Sequence, residues 1–270
     1  MGKYDGMLLV ADFDNTLRPY GEETVPQENL DAAEEFMAEG GLFTIATGRN
    51  PRSFLSIRHL FRVNAPVILN NGGVIFDPES GEDIYESFLP FSCRDDLRAL
   101  LEHFPGTGAE IHRGVDIRVC ARNDGVTEHL RQMGAEVYPA PMERVMFPWS
   151  ALAVIAPGEL DEENETAHRI AEWIHASWPG RYEAVCSKAI VDITAPGSDK
   201  GTGVLRLAQL LDVEPEHLVC IGDGWNDISM LRAAGRAFVP AEAPEEIKCE
   251  PGITVLGSCR SCLREALSLL

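Results

Sequence analysis

The sequence has no surplus of positive charge, no long apolar run and no low-complexity tract. Its 23 Lys and Arg face 43 Asp and Glu, a formal net charge of −20 over 270 residues. That balance opposes nonspecific nucleic-acid binding, which rests on basic side chains neutralising phosphates. It leaves room for a small anionic ligand, because the local charges of a cleft and any bound cation decide what enters it. The longest apolar runs, such as Met7-Leu8-Leu9-Val10-Ala11, fall far short of the ~18 residues a membrane span needs. The opening Met-Gly-Lys-Tyr-Asp passes at once into a strand pattern, and no secretory leader is expected. Gly6 stands where a myristoylation motif wants Ser or Thr. The expectation is a cytoplasmic protein with no nucleic-acid or membrane partner, a monomer or weak homodimer.

Cysteine usage excludes a disulfide scaffold. There are seven, an odd number, and Cys120, Cys186 and Cys220 lie in apolar stretches where a thiol acts as a small hydrophobe. Cys259-Arg-Ser-Cys262, with Cys249 nearby, has no fourth ligand at zinc spacing, so these thiols are expected to be structural.

What is present is an alternation of strands and helices. Apolar residues 7–12 end in Asp12 and read as a strand buried on both faces. A helix over Pro26 to Glu39 stops at Gly40-Gly41, a strand follows over Leu42 to Thr47, and Pro51 opens a second helix. A third strand, Pro66 to Asn70, ends at the turn Asn70-Asn71-Gly72-Gly73. This order predicts a parallel sheet with right-handed crossovers. The pattern resumes with a helix over Gly201 to Leu211, a strand over His217 to Ile221, a short helix around Ile228 to Leu231, and strands near Ala237 and Ile253. Between them, helices at Asp95 to Phe104, Gly125 to Met133 and Glu162 to Trp178 mix with strands at Val115 to Ala121, Ala151 to Ala156, Tyr182 to Cys186 and Ile190 to Thr194. Alternation in Asp116-Ile117-Arg118-Val119 predicts an α+β sheet with helices on one face. The expected fold class is α/β: a Rossmann-like parallel-sheet core, 1–82 plus 191–270, with an inserted α+β domain over 83–190.

Ligands of open parallel sheets bind beyond the carboxyl ends of the strands. Here those ends carry Asp12-Phe13-Asp14-Asn15-Thr16, Thr47-Gly48-Arg49, and Gly222-Asp223-Gly224-Trp225-Asn226-Asp227, with Asp199-Lys200-Gly201 opening a helix. Carboxylates and a Lys gathered at one edge suit phosphoryl transfer, since a phosphate dianion repels a carboxylate nucleophile unless a cation and positive donors hold its oxygens. Asp12 and Asp223 are oxygen ligands of the kind Mg2+ takes. Asp12 can attack to give an aspartyl-phosphate, and Asp14 can protonate the leaving oxygen and then activate water. Thr47 and Lys200 can hold the phosphoryl group, Lys200 with the help of its helix start.

These residues resemble the four motifs of the haloacid dehalogenase superfamily: Asp12-Phe13-Asp14-Asn15-Thr16-Leu17, Ile45-Ala46-Thr47-Gly48-Arg49, Asp199-Lys200-Gly201, and Gly222-Asp223 with Asn226-Asp227 and Met230. Their order and the large insertion are similar to the Cof-type phosphatases, whose α+β cap covers the active site. The resemblance implies Asp12 as nucleophile and metal ligand, Asp14 as general acid/base and backbone ligand, Thr47 and Lys200 as phosphate-holding residues, Asp223 as second carboxylate ligand and Asp227 as an outer carboxylate of the metal site. It places Asn226 near the phosphate, and Gly48, Arg49 and Asn71 are the remaining candidates for substrate contact; Arg49 can equally be a salt-bridge partner. Two departures are Asn15, where relatives carry Gly, and Asn71-Gly72-Gly73 in place of Asn-Gly-Ala. The reaction implied is Mg2+-dependent hydrolysis of a small phosphorylated metabolite, a sugar phosphate or similar ester. A phosphohexomutase of the same layout and a non-catalytic phospho-ligand-binding regulator are the alternatives. In the insertion, His112, Arg113, Arg118, Arg122 and Lys188 are open candidates for substrate contact, and Trp149, Trp173 and Trp178 are expected to pack.

Overall fold

Four apolar residues, Leu8–Ala11, form β1, and all four are buried, as a central strand covered on both faces requires. The computed structural model describes residues 2–133, 135–160 and 164–270. After β1 come α1 (Gln27–Ala38), β2 (Leu42–Ile45), α2 (Pro51–Ile57), β3 (Val67–Leu69), β4 (Val74–Asp77) and β5 (Glu82–Glu86). The inserted segment supplies α3 (Cys93–His103), β6 (Gly108–Arg113), β7 (Asp116–Ala121), α4 (Asp124–Gln132), β8 (Ala151–Ile155), α5 (Glu165–Ser177), β9 (Glu183–Ser187) and β10 (Ile190–Thr194). The expected start of α5 at Glu162 lies outside the described residues. The chain closes with α6 (Lys200–Leu210), β11 (Leu218–Ile221), α7 (Ile228–Ala233), β12 (Arg236–Val239), α8 (Glu245–Lys248), β13 (Ile253–Val255) and α9 (Cys262–Leu269). Its contacts define two units: Met1–Thr47, Ile57–Tyr85 and Asp199–Leu270 form the core, and Gly48–Ser56 with Glu86–Ser198 form the inserted unit.

The core is a parallel sheet in the order β13-β12-β11-β1-β2. Its register decides where the site lies. Ala11 stands opposite Ile45 on one side and Ile221 on the other. The residues that follow, Asp12, Ala46 and Gly222, therefore leave the sheet at one edge. The expected third parallel strand differs: β3 pairs antiparallel with β4 in a separate sheet of order β3-β4-β5, and one parallel bridge, Ala46 to Ile68, joins it to β2. Leu8, Val10, Ile68, Val204, Leu207 and Leu218 share the apolar cluster beneath this edge.

The inserted unit is an antiparallel sheet of order β7-β6-β8-β10-β9. Strand alternation sends Ile111, Val154 and Ile193 to a cluster with Leu97 and Leu100 of α3 and Ile170 of α5. The opposite alternation sends Ile117, Val119 and Ile155 to Val126 and Leu130 of α4. Helices thus cover both faces, not the single face expected, because the buried alternation in β7 belongs to α4. On that second face Glu110 is fully buried, with its oxygens 3.1 Å from His112 Nε2 and 3.1 Å from His129 Nδ1. Burial alone would raise the Glu110 carboxyl, but the two imidazoles hold it down at about 2. His112 is therefore a buried partner of Glu110. Trp149 is fully buried, and Trp173 meets Trp178 edge-on at 4.8 Å. Among the described residues, no helix is long and apolar enough to cross a membrane.

Candidate active site

Asp12 follows β1 directly, and its backbone N–H donates to Ile221 O at 2.8 Å, so the sheet itself fixes the start of the loop. The loop closes tightly: Leu17 N donates to Asp12 O, Arg18 N to Phe13 O, and Asn15 takes the left-handed conformation at φ 66°. Asn accepts that conformation more readily than most residues, which explains how it stands in for Gly. Thr47 is buried and donates its N–H to Ile68 O, and Asn71 N in turn donates to Thr47 O.

Lys200 is the first residue of α6. Asp199 caps the helix by accepting from Thr202 N at 3.0 Å, while Asp199 N donates to Thr202 Oγ1 at 3.1 Å. The helix start approaches the Asn70–Gly72 turn closely: a Cβ on Gly72, which has φ +97°, would stand 2.1 Å from Asp199 O. Only glycine permits that contact. In this position Lys200 is 1% exposed, and its Nζ donates to Asp12 Oδ1 at 2.6 Å and to Asp227 Oδ1 at 2.5 Å.

The loop after β11 presents the other carboxylates. Asp227 is fully buried, and its Oδ2 accepts from Asp223 N at 2.9 Å and Gly224 N at 2.8 Å. Gly222 makes room for it, since a Cβ there would lie 2.5 Å from Asp227 Cγ. Asp223 Oδ1 accepts from the Thr16 hydroxyl at 2.6 Å. Asp12, Asp223 and Asp227 offer ligand atoms within 4.8 Å of one another, the one such group among the described residues.

Electrostatically the cluster is short of positive charge. Burial, reinforced by Asp227, lifts the Asp223 carboxyl to about 7, with Thr16 and Lys200 opposing. Burial likewise raises Asp12 well above its ordinary value, against the pull of Lys200 and with Asp227 and Asp223 adding to it. Burial works against the Lys200 ammonium, but Asp12 and Asp227 more than offset it and its pKa rises. One firmly held cation among three carboxylates is a setting that a further cation would relieve.

The model of the haloacid dehalogenase-like hydrolase family matches residues 9–250. The chain belongs to that family.

This haloacid dehalogenase-like chain is 25% identical to the phosphoglycolate phosphatase of Methanopyrus kandleri over 242 residues, covering 89% of itself and 87% of the relative. It is 24% identical to the 5-amino-6-(5-phospho-D-ribitylamino)uracil phosphatase YbjI of Escherichia coli, with 87% and 85% covered. A solved sugar phosphatase of haloacid dehalogenase subclass IIB superposes with a TM-score of 0.77 at 23% identity over 96% of this chain and 95% of that one. The layout is that of the Cof-type phosphatases, and the chain is a phosphoric monoester hydrolase.

Of the residues singled out from the sequence, Asp12, Lys200, Asp223 and Asp227 are joined directly or through one hydrogen bond. Asn226 Nδ2 donates to Asn71 Oδ1 at 3.1 Å, linking two loops of the same edge. Asp14 is ion-paired with Arg18, whose guanidinium lies over the Phe13 ring. Gly48 and Arg49 are grouped with the inserted unit, where Arg49 Nη1 donates to Ser53 Oγ at 2.8 Å. Arg118 pairs with Asp116 at 2.9 Å. Thr16 lies within the first motif, and its sequence position alone gives it no role. Its contact with Asp223, 207 residues away, is visible only in three dimensions.

Proposed function

We propose that this phosphatase is Mg2+-dependent and hydrolyses a small phosphorylated metabolite, a sugar phosphate or similar ester, through an aspartyl-phosphate on Asp12. The observation that carries the reading is a buried carboxylate at the end of β1 held by Lys200, with Asp223 and Asp227 beside it. The set fits a hard divalent cation, which takes oxygen ligands, and burial leaves the carboxylates in need of one. Asp12, Asp223 and the Asp14 backbone carbonyl would hold Mg2+. Asp227, whose oxygens are engaged by Lys200 and two amides, would act through them. The ion would neutralise charge on the transferring phosphoryl oxygens.

With Oδ1 held by Lys200, Asp12 attacks phosphorus through Oδ2. The ester P–O bond breaks, and the departing oxygen takes the proton of the Asp14 carboxyl. In the second half Asp14 takes a proton from a water as that water attacks phosphorus. The bond between Asp12 and phosphorus breaks, releasing inorganic phosphate and restoring Asp12. Thr47 and Lys200 hold the phosphoryl oxygens, with Asn226 and Asn71 at the edge; Gly48 and Arg49 are kept as candidates for substrate contact. The phosphatases named among the relatives act on small phosphorylated compounds, which supports the same substrate class here. The insertion is assigned to substrate selection, and the working compartment to the cytoplasm, as a monomer or weak homodimer.

The test is phosphate release from a panel of phosphorylated metabolites and an aryl phosphate, with and without Mg2+, in wild type and Asp12→Asn. Metal-dependent release that disappears in the variant is expected. Folded, metal-loaded protein that releases no phosphate from any ester, or that returns the phosphoryl group to the sugar, would overturn the reading.

A further inference from the structure

Behind the nucleophile loop lies a buried polar contact that the chemistry above does not use. Asn29, in α1, is fully buried, and an unsatisfied amide in such a place is costly. Its Nδ2 donates to Cys259 O at 2.8 Å and to Leu17 O at 3.4 Å. Its Oδ1 accepts from Leu263 N at 3.1 Å and lies 3.8 Å from Cys262 Sγ. The Cys262 thiol, fully buried at the start of α9, donates to Thr16 O at 3.4 Å.

Two consecutive carbonyls, Thr16 O and Leu17 O, are thus gripped from behind, one by Cys262 and one by Asn29. The front of the same turn is the site: the Thr16 hydroxyl holds Asp223 Oδ1, and Leu17 N donates to Asp12 O. A turn fixed at both carbonyls can aim its hydroxyl at one carboxylate oxygen, which is how outer partners orient metal ligands. This also gives the Cys259-Arg-Ser-Cys262 motif a part to play: one backbone carbonyl and one thiol of it are spent on this contact.

We infer that Asn29 and Cys262 are positioning residues of the metal site, which hold the Thr16-Leu17 turn so that Thr16 and Asp223 are preset for the ion. The inference rests on the Mg2+-dependent reading. It concerns metal affinity more than substrate affinity, because neither side chain reaches the edge where a phosphate would bind.

The experiment is calorimetric titration of Mg2+ into metal-free wild type, Asn29→Ala, Cys262→Ala and Cys262→Ser, each first shown to be folded by circular dichroism. Substrate KM at saturating Mg2+ is measured alongside. Asn29→Ala is expected to weaken Mg2+ binding by about tenfold, the lower end of what outer partners of metal ligands contribute. Cys262→Ala should weaken it to a lesser extent, Cys262→Ser should restore it by returning a donor, and KM should stay within twofold of wild type. If Asn29→Ala does not fold, the Cys262 pair decides. Variants that bind Mg2+ as tightly as a wild type that binds it overturn this inference alone. A wild type that binds no Mg2+ overturns the metal reading and this inference with it.

Discussion

Lys200 Nζ stands 2.5 Å from Asp227 Oδ1, and both side chains are 1% exposed, so this ion pair has almost no water to share its charge. The same ammonium reaches Asp12. Removing one partner of a buried pair leaves an uncompensated charge, which costs about 3–5 kcal/mol. Lys200→Met is therefore expected to abolish turnover and to lower unfolding stability by roughly that amount. Adding Asp227→Asn should recover part of the stability and none of the activity. A Lys200→Met protein that unfolds at the wild-type urea concentration would show that the charges are not paired as described.

Asp12→Asn separates chemistry from fold. The amide is isosteric, it can still accept from Lys200, and it removes one negative charge from a crowded cluster. Turnover should fall by roughly 10^3-fold or more, as for other covalent nucleophiles. The melting temperature without metal should stay level or rise. A variant that keeps its rate would exclude Asp12 as the attacking group.

Much of this site could be read along the chain, for a physical reason. An apolar run such as Leu8–Ala11, buried on both faces, marks a central strand, and the polar residue that ends it must emerge at the sheet edge. What could not be read is which partners meet across long separations. Lys200 reaches Asp12 across 188 residues, and nothing local shows that the amide of Asn29 would reach the turn after Asp14. The same limit applies to two features of the fold. Alternation in Asp116–Val119 tells that Ile117 and Val119 are covered, not that α4 covers them while α3 and α5 take the other face. Val67–Leu69 has the composition of a parallel core strand, but Asn70-Asn71-Gly72 turns the chain back, so β4 pairs with it antiparallel. α9 is eight residues long and opens directly on the Cys259-Arg-Ser-Cys262 motif, so its helical spacing has little sequence in which to show.

The inserted unit should carry its own pH signature through Asp192. Burial raises this carboxyl to about 6, while His129 and His112 pull it down and Glu110 pushes it up. The folded unit thus holds a proton that the unfolded chain has released, so stability falls as pH rises from about 4 to about 6. Glu110 acts oppositely, losing its contribution only as pH drops below the ordinary carboxylate range toward about 2. His129, raised by Glu110 against burial, keeps its contribution below its unfolded pKa and loses it above. Asp192→Asn should flatten the fall between pH 4 and 6 and raise the melting temperature at pH 7 by roughly 2–4 °C for each kcal/mol recovered. An unchanged pH profile in the variant would remove Asp192 as its source.

Metal binding should register as stability even without a substrate. A ligand that binds only the folded state at 100 times its Kd adds about 2.7 kcal/mol. For a chain of this size that corresponds to a rise of roughly 5–10 °C in melting temperature. The rise should vanish on adding chelator and return with excess Mg2+. It should also require Asp223, whose oxygen is aimed by Thr16 and whose carboxyl, lifted to about 7, becomes available as protons are displaced. Asp223→Asn is expected to keep the metal-free melting temperature, since it removes a repelled charge, and to lose most of the Mg2+ response. If Asp223→Asn were protected by Mg2+ as fully as wild type, the cation would be held elsewhere, and the three-carboxylate cluster would have to be balanced by protons and Lys200 alone.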